Sequence, residues 1–166
     1  MYFLYRFHSA ATKNSLGKPE EFRLNVFTPS VGAFLIKGEK FSIKTVGIRI
    51  LFQIMSFGKA QIYYVENNDG ELVHTSYVVP ACGKFPFMGK RDIEIGPCYT
   101  YPAFRGKGIY PRVLSEICRR NQDAPAIYMI VDEANDPSIK GIEKAGFVRC
   151  GLVSKSRITK RYKKVQ

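Results

Sequence analysis

Tryptophan is absent from this 166-residue chain and histidine nearly so, with only His8 and His74. The four cysteines, Cys82, Cys98, Cys118 and Cys150, lie far apart without a C-x-x-C pair. Such spacing argues against a zinc site and for reduced thiols, so no metal is expected. No apolar run reaches the ~18 residues that a membrane span needs. The N-terminal Met-Tyr-Phe-Leu-Tyr-Arg-Phe-His also lacks the charged-then-apolar order of a secretion signal, and the expectation is a cytoplasmic protein. Acidic residues are few: 14 Asp and Glu against 26 Lys and Arg give a net charge of +12. Internal repeats, low-complexity tracts and long linkers are missing too. With 45% hydrophobic residues, the whole chain, 1–166, is expected to fold as a single domain.

What is present is concentrated in Thr100-Tyr-Pro-Ala-Phe-Arg-Gly-Lys-Gly-Ile-Tyr-Pro111. Here a strand end, a glycine-bearing loop and a helix start share twelve residues. Gly106 and Gly108 leave room for close backbone approach, and the amides of Gly106, Lys107, Gly108, Ile109 and Tyr110 can converge on a pyrophosphate at the positive end of the following helix. Arg105 and Lys107 add positive charge. Pro111 suits a first helical turn, and Val113, Leu114, Ile117 and Cys118 form one apolar face running down to Arg120. The spacing fits neither the G-x-x-x-x-G-K-[ST] nucleotide loop nor the three-glycine dinucleotide fingerprint. An R-G-K-G read alone also fits a plain basic turn.

The rest of the C-terminal half gives that loop a context. A strand (Ile93 to Thr100), the loop, a helix (Pro111 to Arg120), a strand (Ala126 to Val131), Asn135, a helix (Pro137 to Ala145) and Gly146-Phe147 follow in order. This order resembles the GNAT family of acyl-CoA-dependent N-acetyltransferases over about residues 60 to 150. Pro102, Arg105 and Gly108 match the family's loop motif, while Tyr110 departs from its final small residue. Asn135, Ser138, Gly146 and Phe147 match a second motif, N-x-x-[A/S]…G-F. The resemblance implies an α/β (α+β) fold: a mixed, mostly antiparallel central sheet flanked by helices, with a parallel strand pair splayed at the cofactor site.

It also implies acetyl-CoA as donor. The backbone of Cys98, Tyr99 and Thr100 would bind the pantetheine and polarise the acyl carbonyl, and Asn135 would bond the pantetheine amides. Gly96-Pro97 would break regular pairing, as the bulge usual in that strand does. Where the family often carries a tyrosine acid, seven residues after the Asn, this chain has Ile142, so Ser138, one turn earlier, is the candidate proton relay, with solvent as the other. Asp136 as N-cap, Pro137 at the first helical position and Gly146 at the C-terminal end also account for that helix without chemistry. For general base, period-two alternation puts Glu94 on the face of Gly96, Cys98 and Thr100. Asp92 and His74 are rivals; Cys98 as a nucleophile lacks an identifiable histidine partner.

The N-terminal third carries no motif. Glu21 to Phe27 reads as a first strand. Residues 41 to 57 read as a helix apolar round most of its circumference, with a narrow polar stripe of Thr45, Arg49, Gln53 and Ser56. Burial on two sides is the favoured reading; docking to a subunit or membrane surface fits the same pattern. Ala60 to Val65, Asn67-Asn-Asp-Gly70 and Glu71 to Val79 read as a hairpin. Phe85, Phe87 and Met88, in the Pro80 to Arg91 loop, would line a pocket or fold back on the core. Lys155, Arg157, Lys160, Arg161, Lys163 and Lys164 form a basic C-terminal tail, read first as solvated.

The wording I-G-P-C-Y-T-Y-P…R-G-K-G-I-Y-P resembles members associated with bacterial surface-polysaccharide synthesis. The implied acceptor is a small amine, an amino sugar on a nucleotide or lipid carrier; polyamines fit a +12 chain poorly. Peripheral membrane contact and a monomer or homodimer are compatible. Nucleic-acid binding through Lys160 to Lys164 is the disfavoured alternative, since Tyr162 is the only aromatic in that stretch. A non-catalytic acyl-CoA-binding relative is the third reading.

Overall fold

The computed structural model describes residues 1–7, 22–30, 33–36, 39, 42–81 and 84–165. His8, Glu21, Phe41 and Cys82 lie outside the described residues. In chain order the elements are β1 (Tyr2–Phe7), β2 (Phe22–Phe27), α1 (Ile43–Met55), β3 (Gln61–Asn67), β4 (Leu72–Pro80), β5 (Ile93–Thr100), α2 (Ile109–Arg120), β6 (Ile127–Asp132), α3 (Asp136–Lys144), β7 (Phe147–Lys155) and β8 (Tyr162–Val165). The strands form one sheet ordered β2-β3-β4-β5-β6-β1-β7-β8. Every neighbouring pair is antiparallel except β5 and β6. That is the mixed, mostly antiparallel sheet expected from the sequence.

Alternation along β3 and β4 sorts side chains onto two faces. Tyr63, Val65 and Val78 pack with Ile109, Val113, Leu114 and Ile117 of α2. Ile62, Tyr77 and Val79 pack with Phe52 of α1. In β5 this alternation is interrupted. Ser76 pairs with Cys98 and Val78 with Ile95, so Gly96 and Pro97 together oppose Tyr77 alone. The extra residue is a bulge, and it inverts the alternation beyond it. Ile95 and Cys98 therefore both face α2. Glu94, cross-strand from Val79, faces α1. The expected common face for Glu94, Cys98 and Thr100 does not form.

Between β5 and β6 the registered pairs are Ile93 with Ile127 and Glu94 with Tyr128. Beyond them the parallel strands part, with β6 held on its other side by β1. β1, unassigned from sequence, is wedged between β6 and β7. Part of the basic tail is the edge strand β8, with Lys163 and Lys164 exposed. Tyr162 is buried against Phe85, and its N–H donates to the Lys84 carbonyl at 2.9 Å. Phe85, Phe87 and Met88 thus fold back on the core.

The burial expected for both sides of α1 is overturned. Only Arg49 and Phe52 of this helix are buried. The polar stripe turns inward: Arg49 donates to Glu39 at 2.7 and 3.0 Å, to the Phe34 carbonyl at 2.6 Å and to the Tyr77 hydroxyl at 3.1 Å. Gln53 donates to the carbonyls of Pro29 and Ala60. These partners come from neighbouring segments and are invisible in the helix's own periodicity.

Candidate active site

The loop between β5 and α2 is built as its composition requires. Gly106 and Gly108 have φ of 77° and 71°, and a Cβ at either would meet nothing within 4 Å. The backbone there is left-handed and uncovered, which suits glycine and a close-approaching ligand. Gly108 is the N-cap of α2, and Pro111 lies in the first turn, where its missing N–H leaves nothing unsatisfied. Arg105 Nε donates to the Thr100 carbonyl at 3.0 Å, tying the loop back to β5.

A cleft of about 720 Å³ opens where β5 leaves β6. Its outer part is lined by Arg105, Gly106, Gly108, Lys140 and Lys144, and its inner part by His74, Cys98, Thr100, Tyr110 and Ser138. Tyr99, Ile109 and Asn135 also line it; among the described residues no carboxylate does. The cleft therefore gathers most of the residues singled out from sequence. Lys107 instead reaches over the Phe104 ring. Glu94 and Asp92 are not among the lining residues. Asp92 is buried, accepting from the Gly89 N–H at 2.7 Å.

At α3 the cap differs from expectation. Asn135 is the N-cap: its side chain accepts from the Ser138 N–H at 3.3 Å, moving Asp136 and Pro137 into the first turn. Ser138 remains on the cleft wall, whereas Ile142 is in the core. Tyr110, the departure from the loop motif, is explained at the same place. A Cβ on Gly141 would lie 2.5 Å from the Tyr110 ring, so α3 admits this aromatic only because residue 141 is glycine.

The inner wall is a buried polar chain that sequence reasoning missed. Nδ1 of His74 lies 2.7 Å from Thr100 Oγ1, and its Nε2 lies 2.7 Å from Ser76 Oγ. The Cys98 thiol lies beside Ser76 and the Tyr110 hydroxyl, both of which act on its acidity. Burial lowers His74 to about 4 and raises Cys98 to about 12. A neutral imidazole and a protonated thiol result, so Cys98 is a poor nucleophile despite the His74–Ser76 pair nearby. Burial likewise raises Tyr110, keeping its hydroxyl a donor.

Glu94 occupies the crotch of the strand fork on the opposite face. It is buried, Oε2 has no hydrogen-bond partner among the described residues, and desolvation lifts the carboxyl to about 8 against the pull of Lys84. Among the described residues no group of three or more His, Cys, Asp or Glu is placed to hold a metal.

No family model matches the chain, and no curated protein matches it by sequence. Solved structures do resemble it. An acetyltransferase of the GNAT family from Colwellia psychrerythraea superposes with a TM-score of 0.58 at 13% identity, over 90% of this chain and 52% of that one. A tandem GNAT protein from the clavulanic acid biosynthesis pathway gives 0.60 at 14% identity, over 89% and 50%. Spermidine N-acetyltransferase from Vibrio cholerae, in complex with CoA and spermine, gives 0.55 at 17%, over 85% and 90%. The chain spans about half the length of the first two proteins. At these identities the likeness establishes the fold: the chain has the fold of the GNAT acetyltransferases.

Proposed function

We propose that this chain is an acetyl-CoA-dependent N-acetyltransferase that moves an acetyl group to a primary amine by direct attack in a ternary complex. The observation that carries the reading is the cleft at the strand fork: a glycine loop at a helix N-terminus, cations at its mouth and a polar inner wall. The pyrophosphate lies on the amides from Gly106 to Tyr110, with Arg105, Lys140 and Lys144 at the cleft mouth balancing its charge. The pantetheine runs along Cys98, Tyr99 and Thr100, with Asn135 at its amides. As a user of a cytoplasmic donor, the protein acts on the cytoplasmic side.

The amine nitrogen attacks the thioester carbonyl carbon, a β5 amide holds the developing oxyanion, and the C–S bond breaks. Glu94, in its ionised form, takes the amine's proton, directly or through one water, from the face opposite the loop; with the carboxyl lifted to about 8 that form grows as pH rises toward 8. On the other face, the Tyr110 hydroxyl donates a hydrogen bond toward the leaving sulfur, and Ser138 relays a proton to it from solvent. The acceptor is an amino sugar on a nucleotide or lipid carrier, whose phosphate suits a +12 protein.

Titration calorimetry with acetyl-CoA tests the reading. Wild-type protein should bind with micromolar affinity, and Gly108→Val or Arg105→Glu should abolish binding by filling the phosphate's space or reversing the charge beside it. No binding by the wild type would sink the transferase reading and leave salt-dependent nucleic-acid binding through Lys160 to Lys164 as the next measurement. Binding without turnover across amino-sugar acceptors would favour a non-catalytic relative.

A further inference from the structure

Helix α1 is turned inside out. Ile43, Leu51, Ile54 and Phe57 are 79%, 53%, 70% and 91% exposed, and Ile50 joins the same outward stripe at 39%. At 100° per residue Ile43, Gly47, Ile50, Leu51 and Ile54 share one side of the helix, and Phe57 follows the C-cap Ser56 with a left-handed φ of 52°. Rotation cannot hide them, because Arg49 on the inner side is held by Glu39, Tyr77 and the Phe34 carbonyl. The surface is therefore a fixed feature of the fold, and the stretch of chain that carries it has one sign of charge. From Ser42 to Val65 there is no Asp or Glu. Arg49 is neutralised by Glu39, and among the described residues Lys44 and Lys59 are exposed charges on and just after the helix.

We infer that the outer face of α1 docks on an anionic lipid bilayer. The apolar stripe enters the headgroup boundary, while Lys44 and Lys59 meet lipid phosphates. A second copy of the chain is the weaker occupant, since it would bring the same lysines and another +12 to the contact. An anionic headgroup layer neutralises them. α1 covers the Val79 face of the sheet, to which Glu94 also points, so the bilayer lies on the side opposite the glycine loop. The inference stands on α1 alone and does not require the proposed chemistry.

The chain has no tryptophan, so Phe57→Trp supplies a single fluorophore on the stripe. With vesicles of phosphatidylcholine and phosphatidylglycerol its emission should shift to the blue and be quenched by brominated acyl chains; with phosphatidylcholine alone both effects should be much weaker. In co-sedimentation, the charge-neutral triple variant Leu51→Ser, Ile54→Ser, Phe57→Ser should bind anionic vesicles at least about tenfold more weakly than wild type. Unshifted emission overturns the inference. So does a triple variant that binds as well as wild type, which would mean adhesion by net charge alone. A wild-type dimer that the triple variant dissociates, with no emission change on lipid, would assign the face to a second copy. Should the triple variant fail to fold, the emission and quenching of Phe57→Trp decide the question.

Discussion

Helices α1 and α2 lie on opposite faces of one sheet, and both sequences alternate polar and apolar with helical period. In α2 the buried residues are all nonpolar: Ile109, Pro111, Val113, Leu114, Ile117 and Cys118. In α1 the buried pair is Arg49 and Phe52, and the aliphatic stripe faces out. Period therefore fixes which residues share a side but not which side is covered. In α2 the hydrophobic effect chooses the side; in α1 a buried guanidinium with four hydrogen bonds does.

Breaking each anchor should give the largest effects. Arg49→Met leaves the Glu39 carboxylate, itself nearly buried, without its partner. Removing one member of a buried ion pair costs about 3–5 kcal/mol. Leu114→Ala, at a fully buried site in α2, should cost about 2–5 kcal/mol by lost transfer energy and cavity formation. Urea unfolding of both variants tests whether a polar anchor matches an apolar one. A near-neutral Arg49→Met would mean that α1 is held by Phe52 and not by its polar side.

The two faces should also answer pH in opposite directions. On the α2 face, His74 has its pKa lowered from 6.5 to about 4. Between those values the unfolded chain binds the extra proton, so stability falls as pH drops through that window. On the α1 face, Glu94 is raised from 4.5 to about 8. There the folded chain keeps a proton that the unfolded chain has lost, so stability falls as pH rises from 4.5 toward 8. A tenfold difference in proton affinity between the folded and unfolded chains corresponds to ~1.4 kcal/mol at most. Glu94→Gln should abolish the loss on the alkaline side and leave the His74 limb intact, read by urea unfolding across both windows. An unchanged alkaline slope would mean that Glu94 is ionised in the fold.

What was legible in the sequence was local. The glycine loop, the first-turn Pro111, the apolar face of α2 and the β3–β4 hairpin are each written within a few consecutive residues. What was hidden depends on partners far along the chain. β1 is a strand because β6 and β7, more than a hundred positions away, flank it. The face of Glu94 depends on a two-against-one bulge, where plain alternation counts one residue too few. The chain from Thr100 through His74 to Ser76 joins two strands, with Cys98 and the helix residue Tyr110 beside it. Tyr110 itself is a departure from the loop motif, and the signal that pairs it with Gly141 is a glycine inside a predicted helix.

The smallest expected effect sharpens the contrast most. Ile54 on α1 and Ile117 on α2 are the same side chain in the C-terminal halves of two amphipathic helices, one 70% exposed and the other 0%. Serine and isoleucine have similar helix propensities, so exchanging them reads burial and little else. Ile117→Ser should cost several kcal/mol, by removing a core side chain and burying a hydroxyl. Ile54→Ser should change stability by less than about 0.5 kcal/mol, as exposed substitutions do. Thermal melts of dilute protein without lipid measure both. A large loss at Ile54 that grows with protein concentration would mean that the stripe is already covered in solution by another copy of the chain. A small loss independent of concentration would leave the stripe open for a surface the protein has yet to meet.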